Sequence, residues 1–176
     1  MENRKLILYI ACSLDGYIAK PNDDLSFLDR VQKEGEDYGY HDFISTVDTV
    51  ILGRKTYDWV MTQVEKFPHA DKETFIISRR ERPSKGNLRY YTGPLRELVK
   101  GLKKKQGKNI FCDGGGEIVN ELLKEKLLDE LILSFIPVLV GNGTRLFQDG
   151  RPEQDLEVVS VKHFDSGLIQ HHYKMT

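Results

Sequence analysis

The sequence is poor in cysteine: its 176 residues contain two, Cys12 and Cys112. Both lie in apolar runs, and their wide spacing excludes a secreted disulfide scaffold and a cysteine-based zinc site. Metal-binding histidine spacing is also missing, because no two of the five histidines follow the His-Glu-x-x-His pattern. We therefore expect buried, reduced thiols and no metal site.

Long apolar runs and an excess of charge are missing as well. Lys+Arg number 26 and Asp+Glu 27, which gives a formal net charge of -1, so no overall charge attracts nucleic acid or an anionic membrane. The apolar run at 6–12 follows Arg4 and Lys5, but it is too short to span a bilayer and no small-residue cleavage site follows it. We expect a cytoplasmic protein without nucleic-acid or membrane partners.

What the sequence does contain is an alternation of short apolar runs with helical patterns. The runs lie at 6–12, 49–52, 75–77, 110–112 and 131–136. Continuous apolar runs are typical of strands covered on both faces. The i, i+3, i+4, i+7 spacing of amphipathic helices appears at 40–47 and at 95–102, the second opened by Pro94 at a first helical position. The alternation predicts a mostly parallel sheet with helices on both faces.

The end of the chain has a different pattern. Two strand-like runs, 156–164 and 168–174, are joined by the turn residues Asp165, Ser166 and Gly167. This arrangement predicts an antiparallel hairpin added to the edge of the sheet. Neither an internal repeat nor a linker interrupts the pattern, so one domain is expected over 1–176.

Three segments at predicted strand ends suit a phosphate. The first, at 53–56, contains Gly53, Arg54, Lys55 and Thr56 and opens a predicted helix. Helix N-termini offer unpaired N–H groups and the positive end of the dipole, although the segment taken alone is more typical of a simple helix cap by Gly53 or Thr56. The segment lacks Walker spacing, which disfavours a P-loop phosphotransferase.

The other two segments also follow apolar runs. Gly114, Gly115 and Gly116 let a backbone approach a ligand closely, although a tight turn has the same signature. Ser78 and Arg79, followed by Arg80, suit a phosphomonoester, although alone they are typical of a charged loop. In a parallel sheet all three segments converge on one edge, where an α/β protein binds a dinucleotide.

Together with these segments, the stretches 11–19 (Ala-Cys-Ser-Leu-Asp-Gly-Tyr-Ile-Ala), 127–131 (Leu-Leu-Asp-Glu-Leu) and 137–143 (Pro-Val-Leu-Val-Gly-Asn-Gly) resemble the dihydrofolate reductase superfamily. The second half is more similar to the reductase domain of the bifunctional riboflavin-biosynthesis deaminase-reductase, whereas 53–56 is closer to the folate enzymes. The resemblance implies a three-layer α/β fold with a mixed, mainly parallel sheet and a C-terminal antiparallel hairpin. It also implies a homodimer and NADPH as cofactor.

The resemblance assigns a set of residues to the cofactor, including a glycine turn that usually has a cis Gly–Gly bond. These residues are Ala11, Ile18, Ala19, Gly53, Arg54, Lys55, Thr56, Ser78, Arg79, Gly114, Gly115, Gly116 and Glu117. For the substrate, Asp24 is the nearest match to the carboxylate with which folate enzymes hold the pterin. Ser134 matches the hydroxyl that bonds this carboxylate, so the two form the candidate catalytic pair. Asp24 is also typical of the start of a helix.

The resulting functional expectation is hydride transfer from NADPH to a C=N or C=O group of a small heterocyclic or ribosylated pyrimidine. The resemblance favours the 5-amino-6-(5-phosphoribosylamino)uracil reductase reaction, with dihydrofolate reduction as the alternative. An alternative of another class is a non-catalytic nucleotide-binding protein of the same fold, because glycines and basic residues can retain a cofactor without turnover.

Overall fold

The computed structural model describes residues 4–176, which contain ten strands and four α-helices. The strands are β1 (Leu6–Ser13), β2 (Tyr17–Ala19), β3 (Val47–Gly53), β4 (Glu73–Ile77), β5 (Leu88–Tyr91), β6 (Asn109–Gly114), β7 (Glu130–Ile136), β8 (Thr144–Arg145), β9 (Leu156–His163) and β10 (Ile169–Met175). The α-helices are α1 (Tyr40–Ser45), α2 (Arg54–Gln63), α3 (Leu95–Lys104) and α4 (Gly116–Lys124). In this part of the chain no helix has the length and apolarity needed to cross a membrane.

Eight of the strands in residues 4–176 form one mixed sheet in the order β5-β4-β3-β6-β1-β7-β10-β9. The six strands from β5 to β7 are parallel to their neighbours, whereas β10 runs antiparallel to both β7 and β9. The short strands β2 and β8 pair separately. The mainly parallel sheet with a C-terminal hairpin is therefore confirmed.

Two apolar clusters on opposite faces of the sheet make the three layers. Helices α3 and α4 pack on one face, where Val99, Leu122 and their neighbours are fully buried. Helices α1 and α2 pack on the other face around Phe43 and Phe111. Burial of this apolar surface is the main source of stability for such a layered domain.

The predicted helix at 40–47 is too long at its C-terminal end. Helix α1 ends at Ser45 and Val47 is the first residue of β3, paired with Asn109 of β6. Val47 nevertheless packs in the same cluster as Phe43. An apolar residue at the i+7 position fits a helix and a following buried strand equally well, so the spacing could not mark this boundary. Similarly, Pro94 is the N-cap of α3, with extended backbone at ψ 130, and not its first helical residue.

The helix expected after Asp24 is absent from the described residues, which form two 3₁₀ segments there, Pro21–Asp23 and Ser26–Val31. Asp24 lies between them with extended backbone. Phe27 and Val31 are buried against Ile136 and Leu168. These contacts hold the segment beside the C-terminal end of β7.

Candidate functional site

The three predicted phosphate segments meet at one edge of the sheet. Strands β4, β3 and β6 are parallel and adjacent, and they end at Ile77, Gly53 and Gly114. The segments that follow them therefore lie side by side at the carboxyl edge. This confirms the predicted convergence, and ligands of open α/β sheets bind at this edge.

Two helix N-termini touch at the centre of this edge. Gly53 is the N-cap of α2 and Gly115 the N-cap of α4, and within the described residues neither helix has a side-chain cap. A methyl group built on Gly53 would lie 3.9 Å from both the Gly114 carbonyl oxygen and the Gly115 nitrogen. The first N–H groups of the two helices therefore lie next to each other, and no side chain caps them. Such free N–H groups can bind an anion.

The glycine turn itself leaves little room for side chains. Gly114 has φ +91 and a cis peptide bond joins it to Gly115. A methyl group on Gly115 would lie 3.0 Å from the Thr56 hydroxyl, and one on Gly116 would lie 3.0 Å from the Arg145 carbonyl oxygen. The turn is therefore fitted between α2 and the segment around β8.

Basic side chains surround the two N-termini. Arg54 forms an ion pair with Asp58 one turn along α2. Lys55 Nζ lies 3.7 Å from Oε1 of Glu117 on α4, with both side chains mostly exposed. This contact links the starts of the two helices. Since surface ion pairs are weak, an anionic ligand can compete for either cation.

At the end of β4 the chain makes a tight polar turn. The Ser78 hydroxyl donates to the Arg80 carbonyl oxygen at 2.8 Å and accepts from the Arg80 N–H at 3.2 Å. Arg79 is exposed, and across residues 4–176 it has no ion-pair partner. Its guanidinium is thus available to a phosphate at this end of the site.

The turn after β1 is fixed to the loop after β7 by Asp15. Its carboxylate accepts from the Ser13 hydroxyl at 2.5 Å and from the N–H groups of Val140 and Gly141 at 3.0 and 2.7 Å. Burial opposes ionisation, but these hydrogen bonds prevail and lower the pKa of Asp15 to about 2. The loop is therefore held by a carboxylate that stays charged at neutral pH.

The three apolar residues assigned to the cofactor lie around this turn. Ala11 is opposite Ser134 in the ladder between β1 and β7. The Ile18 side chain would be 3.6 Å from a methyl group on Gly116, and the Ala19 carbonyl oxygen faces Gly143. Ile18 thus borders the glycine turn, while Ala11 and Ala19 lie farther along β1 and β2.

Asp113, directly before the glycine turn, is a functional candidate that the sequence reasoning missed. Burial raises the pKa of its carboxyl group to about 7, although 29% of the side chain remains exposed. Within residues 4–176 no donor forms a hydrogen bond with it. A half-buried carboxyl group without hydrogen bonds, at the carboxyl edge of the sheet, is typical of a group that exchanges a proton with a ligand.

The neighbours of Asp113 explain why its charge is not compensated. Nε2 of the buried His69 lies 3.9 Å from the carboxyl Oδ2 and 3.3 Å from the Tyr40 hydroxyl. Burial, together with Lys72, lowers the pKa of His69. A neutral imidazole and a neutral phenol therefore face Asp113, and neither stabilises a carboxylate as a cation would. The signal in the sequence was an acid immediately before three glycines at a strand end.

The structure does not bring Asp24 and Ser134 together within the described residues. The Asp24 carboxylate pairs with Lys20 Nζ at 2.8 Å and accepts from the Ser26 N–H at 2.8 Å. Hydrogen bonds from Lys20 and Ser26 lower the pKa of Asp24 to about 2. The second contact is a turn-type interaction between Asp24 and the first residue of the 3₁₀ segment Ser26–Val31, as in the helix-start interpretation.

Ser134, on β7, instead belongs to a buried hydrogen-bond network centred on the neighbouring strand β10. Gln170 Nε2 contacts the Ser134 hydroxyl, the Tyr9 hydroxyl and the Tyr38 carbonyl oxygen, each at 3.1 Å. Gln170 is the ladder partner of Ser134 in β10. This long-range partner could not be read from the sequence, because it depends on the register of the hairpin.

Asp24→Asn tests whether Asp24 contacts the substrate. We expect kcat/KM to stay within about twofold of wild type, because the carboxylate is engaged by Lys20 and Ser26 and Asn replaces Asp well in such turns. Asp23→Asn, at the neighbouring exposed position, is the control for the loop. A tenfold or larger fall in kcat/KM for Asp24→Asn alone, with unchanged melting temperature and NADPH affinity, would restore the folate-like placement. Retained turnover would direct the search for substrate contacts to Ser13, Asp15 and the loop at 141–144.

Among residues 4–176 no cluster of three or more His, Cys, Asp or Glu side chains could hold a metal ion. The chemistry of the donors that do converge, namely N–H groups, cations and hydroxyls, suits an anion.

Comparison with known proteins gives consistent matches over nearly the whole chain. The model of the RibD C-terminal domain family matches residues 4–170. The uncharacterized protein YwjB of Bacillus subtilis (strain 168) is 40% identical over 171 residues, covering 97% of this chain and 97% of YwjB. A solved structure from Shewanella sp. PV-4, named for riboflavin biosynthesis, has a TM-score of 0.89 and 28% identity over 98% of this chain and 99% of that chain.

A more distant match shows the fold alone. The Thermotoga maritima diaminohydroxyphosphoribosylaminopyrimidine deaminase/5-amino-6-(5-phosphoribosylamino)uracil reductase has a TM-score of 0.74 at 13% identity, covering 99% of this chain and 57% of that chain. The family match spans every segment of the carboxyl edge described above.

Proposed function

Because this chain belongs to the RibD C-terminal domain family, a family of reductase domains, we propose that it is an NADPH-dependent reductase of a heterocyclic or ribosylated pyrimidine. The observation that carries the proposal is the contact between the glycine-capped N-termini of α2 and α4, directly beside Asp113. It provides an anion site and a proton-exchanging group at the same edge of the sheet.

The residues at this edge fit a phosphorylated dinucleotide. The N–H groups at the starts of α2 and α4, with Arg54 and Lys55, suit the pyrophosphate, since helix N-termini and cations both stabilise negative charge. Ser78 and Arg79, at the end of the adjacent strand β4, suit the additional phosphate that distinguishes NADPH from NADH. Bound NADPH supplies the hydride, and the chain's residues supply binding, orientation and a proton.

Asp113 is the group proposed to deliver that proton. Reduction of a C=N or C=O group adds a hydride to carbon and a proton to nitrogen or oxygen. With a pKa of about 7, Asp113 is substantially protonated at neutral pH, as a general acid must be. After transfer the carboxylate takes a new proton from solvent through its exposed side.

The family and one relative support the substrate class. The Shewanella neighbour is named for riboflavin biosynthesis, which favours a ribosylaminopyrimidine. Dihydrofolate has less support, because Asp24 is engaged by Lys20 and not by Ser134. The test is NADPH oxidation by the purified protein with both compounds. Oxidation with neither, despite tight NADPH binding, would favour the non-catalytic nucleotide-binding alternative.

NADPH is expected to bind at least about tenfold more tightly than NADH. The reason is that Arg79 and Ser78 offer charge-assisted hydrogen bonds of roughly 1.5–3 kcal/mol each to a phosphate that NADH lacks. The measurement is the Kd of each cofactor by calorimetry. Arg79→Ala should bring the two Kd values together, whereas Lys104→Ala, at the far end of α3, should preserve the difference. Equal Kd values in the wild-type protein would contradict the proposed phosphate site.

A further inference from the structure

His69 faces the carboxyl group of Asp113 from the segment between α2 and β4. Its side chain is 9% exposed. Its ring packs edge-to-face against Phe67 and Phe111, with centroid distances of 5.4 and 5.8 Å. These contacts with apolar rings set the plane of the imidazole and leave its two nitrogens to polar partners.

The two ring nitrogens have different surroundings. Nε2 lies 3.3 Å from the Tyr40 hydroxyl and 3.9 Å from Oδ2 of Asp113. Nδ1 has no hydrogen-bond partner in residues 4–176, where no polar side-chain atom is both fully buried and without a partner, so Nδ1 reaches solvent. A neutral imidazole carries its proton on either nitrogen. Contact with water at Nδ1 therefore lets His69 change from one tautomer to the other.

This choice of tautomer matches the change that Asp113 undergoes when it acts as an acid. While Asp113 is protonated, an unprotonated Nε2 can accept a hydrogen bond from Tyr40. Once the proton has gone to the substrate, the new carboxylate needs a donor. Hydrogen bonds to a carboxylate are about 2.7–2.9 Å long, so a protonated Nε2 reaches Oδ2 if the ring moves by about 1 Å.

Solvent is poorly placed to provide this donor during the reaction. Only 29% of the Asp113 side chain is exposed, and the substrate atom that receives the proton must approach through that exposed side. Water is therefore displaced from the carboxyl group at the moment when it becomes charged. Stabilisation of the charge has to come from the protein side, where His69 lies.

Among residues 4–176 no other titratable group nearby donates a hydrogen bond to this acid. Burial raises the pKa of Tyr40 on α1 and of Tyr9 on β1, so both stay protonated. Lys72 and Asp71 pair with each other at 2.9 Å. Burial, together with Lys72, lowers the pKa of His69. The imidazole is thus neutral near pH 7 and acts as a hydrogen-bond donor, not as a charge.

We propose that His69 is a positioning residue for Asp113: its Nε2–H donates a hydrogen bond to Oδ2 as the acid gives up its proton. This role rests on the proposed function, in which Asp113 transfers its proton to the nitrogen or oxygen of the bond being reduced. His69 keeps its own proton throughout, so the net charge of the pair falls by one, as it does for Asp113 alone.

His69→Phe tests this role through the pH profile of activity. The change preserves an aromatic ring between Phe67 and Phe111 and removes both nitrogens. Without the donor the carboxylate is harder to form, so kcat at pH 7 should fall about tenfold. The alkaline limb of kcat/KM should move to higher pH by about one pH unit or more. A change that only loosened the fold would lower activity without moving this limb.

Two amide variants are the matched controls. The side-chain nitrogen of Gln is as many bonds from the backbone as Nε2, and that of Asn as many as Nδ1. His69→Gln should therefore keep kcat within about threefold of wild type and leave the limb in place, whereas His69→Asn should behave like His69→Phe. His41→Phe, at an exposed position in α1, should change neither quantity.

The pH dependence of the melting temperature, measured without substrate, separates this role from the reductase function. The loss of stability that accompanies ionisation of Asp113 should occur at higher pH in His69→Phe. If it does so while no compound is reduced, the hydrogen bond to Asp113 stands and the proposed function fails. If the wild-type protein reduces a substrate but His69→Phe moves neither the limb nor the stability loss, His69 does not assist Asp113. Equal kcat values in His69→Asn and His69→Gln would overturn the proposed role as well.

Discussion

Asp113→Asn is expected to lower kcat by about 100-fold or more while changing the Kd of NADPH by less than about threefold. Asn preserves the size of the side chain but has no proton to transfer, and a positioned general acid contributes about 10²–10⁴-fold. The carboxyl group lies beside the glycine turn but is not one of the cations or N–H groups assigned to the cofactor phosphates. Turnover and cofactor affinity should therefore separate, as measured by steady-state kinetics and calorimetry.

The pH dependence of activity and of stability provides a second test of Asp113. In the wild-type protein kcat/KM should fall above pH about 7, where Asp113 loses its proton, and the variant should lose this limb of the profile. Because the folded pKa lies above the ordinary aspartate value of 3.8, the stability that the protonated Asp113 contributes is greatest below pH 3.8 and is lost as pH rises through about 7. The variant should lack this loss, so its melting temperature should exceed that of wild type most clearly above pH 7.

Asp155→Asn, an exposed change in the loop before β9, is the matched control and should leave kinetics and stability near wild type. If Asp113→Asn retains kcat and the alkaline limb, the proton donor is another group. If the pH dependence of stability is also unchanged, Asp113 is ionised in the folded protein and its carboxyl group is better solvated than its burial indicates.

Gly115→Ala is expected to weaken NADPH binding by roughly 10- to 100-fold. The new methyl group would lie 3.0 Å from the Thr56 hydroxyl, so this side chain in the first turn of α2 must give way by a few tenths of an ångström at the point where the two N-termini meet. Loss of one charge-assisted hydrogen bond to a phosphate accounts for an effect of this size. Calorimetric Kd values and a melting curve on the same protein measure the two consequences.

The control is Gly101→Ala in α3, where an added methyl group has no atom within 4 Å. That change should leave the Kd unchanged and slightly raise the melting temperature, because alanine is the better helix former. Unchanged NADPH affinity in Gly115→Ala would assign the glycines to the turn alone. A large fall in melting temperature would instead show that the contact with Thr56 is needed for folding.

The sequence predicted the elements whose signals are local. Continuous apolar runs indicated the parallel strands because both faces of such strands are buried, and the glycines at 114–116 indicated the close approach of backbone segments. Since parallel strands all end at the same edge, the order of the pattern was enough to predict that Gly53, Ser78 and Gly114 converge. Boundaries were less certain where one residue fits two structures, as Val47 does.

The partners of individual side chains required the tertiary structure. Ser134 forms its hydrogen bond with Gln170, which lies 36 residues later in the chain. The register of the C-terminal hairpin places Gln170 there, and no local pattern specifies that register. The raised pKa of Asp113 likewise depends on burial and on neutral groups from α1 and from the segment before β4. Hydrophobic pattern and turn chemistry act over a few residues and determined the fold class and the location of the site. Hydrogen-bond partners and desolvation depend on residues distant in the chain, so only the folded structure decided which acid lies beside the cofactor segments.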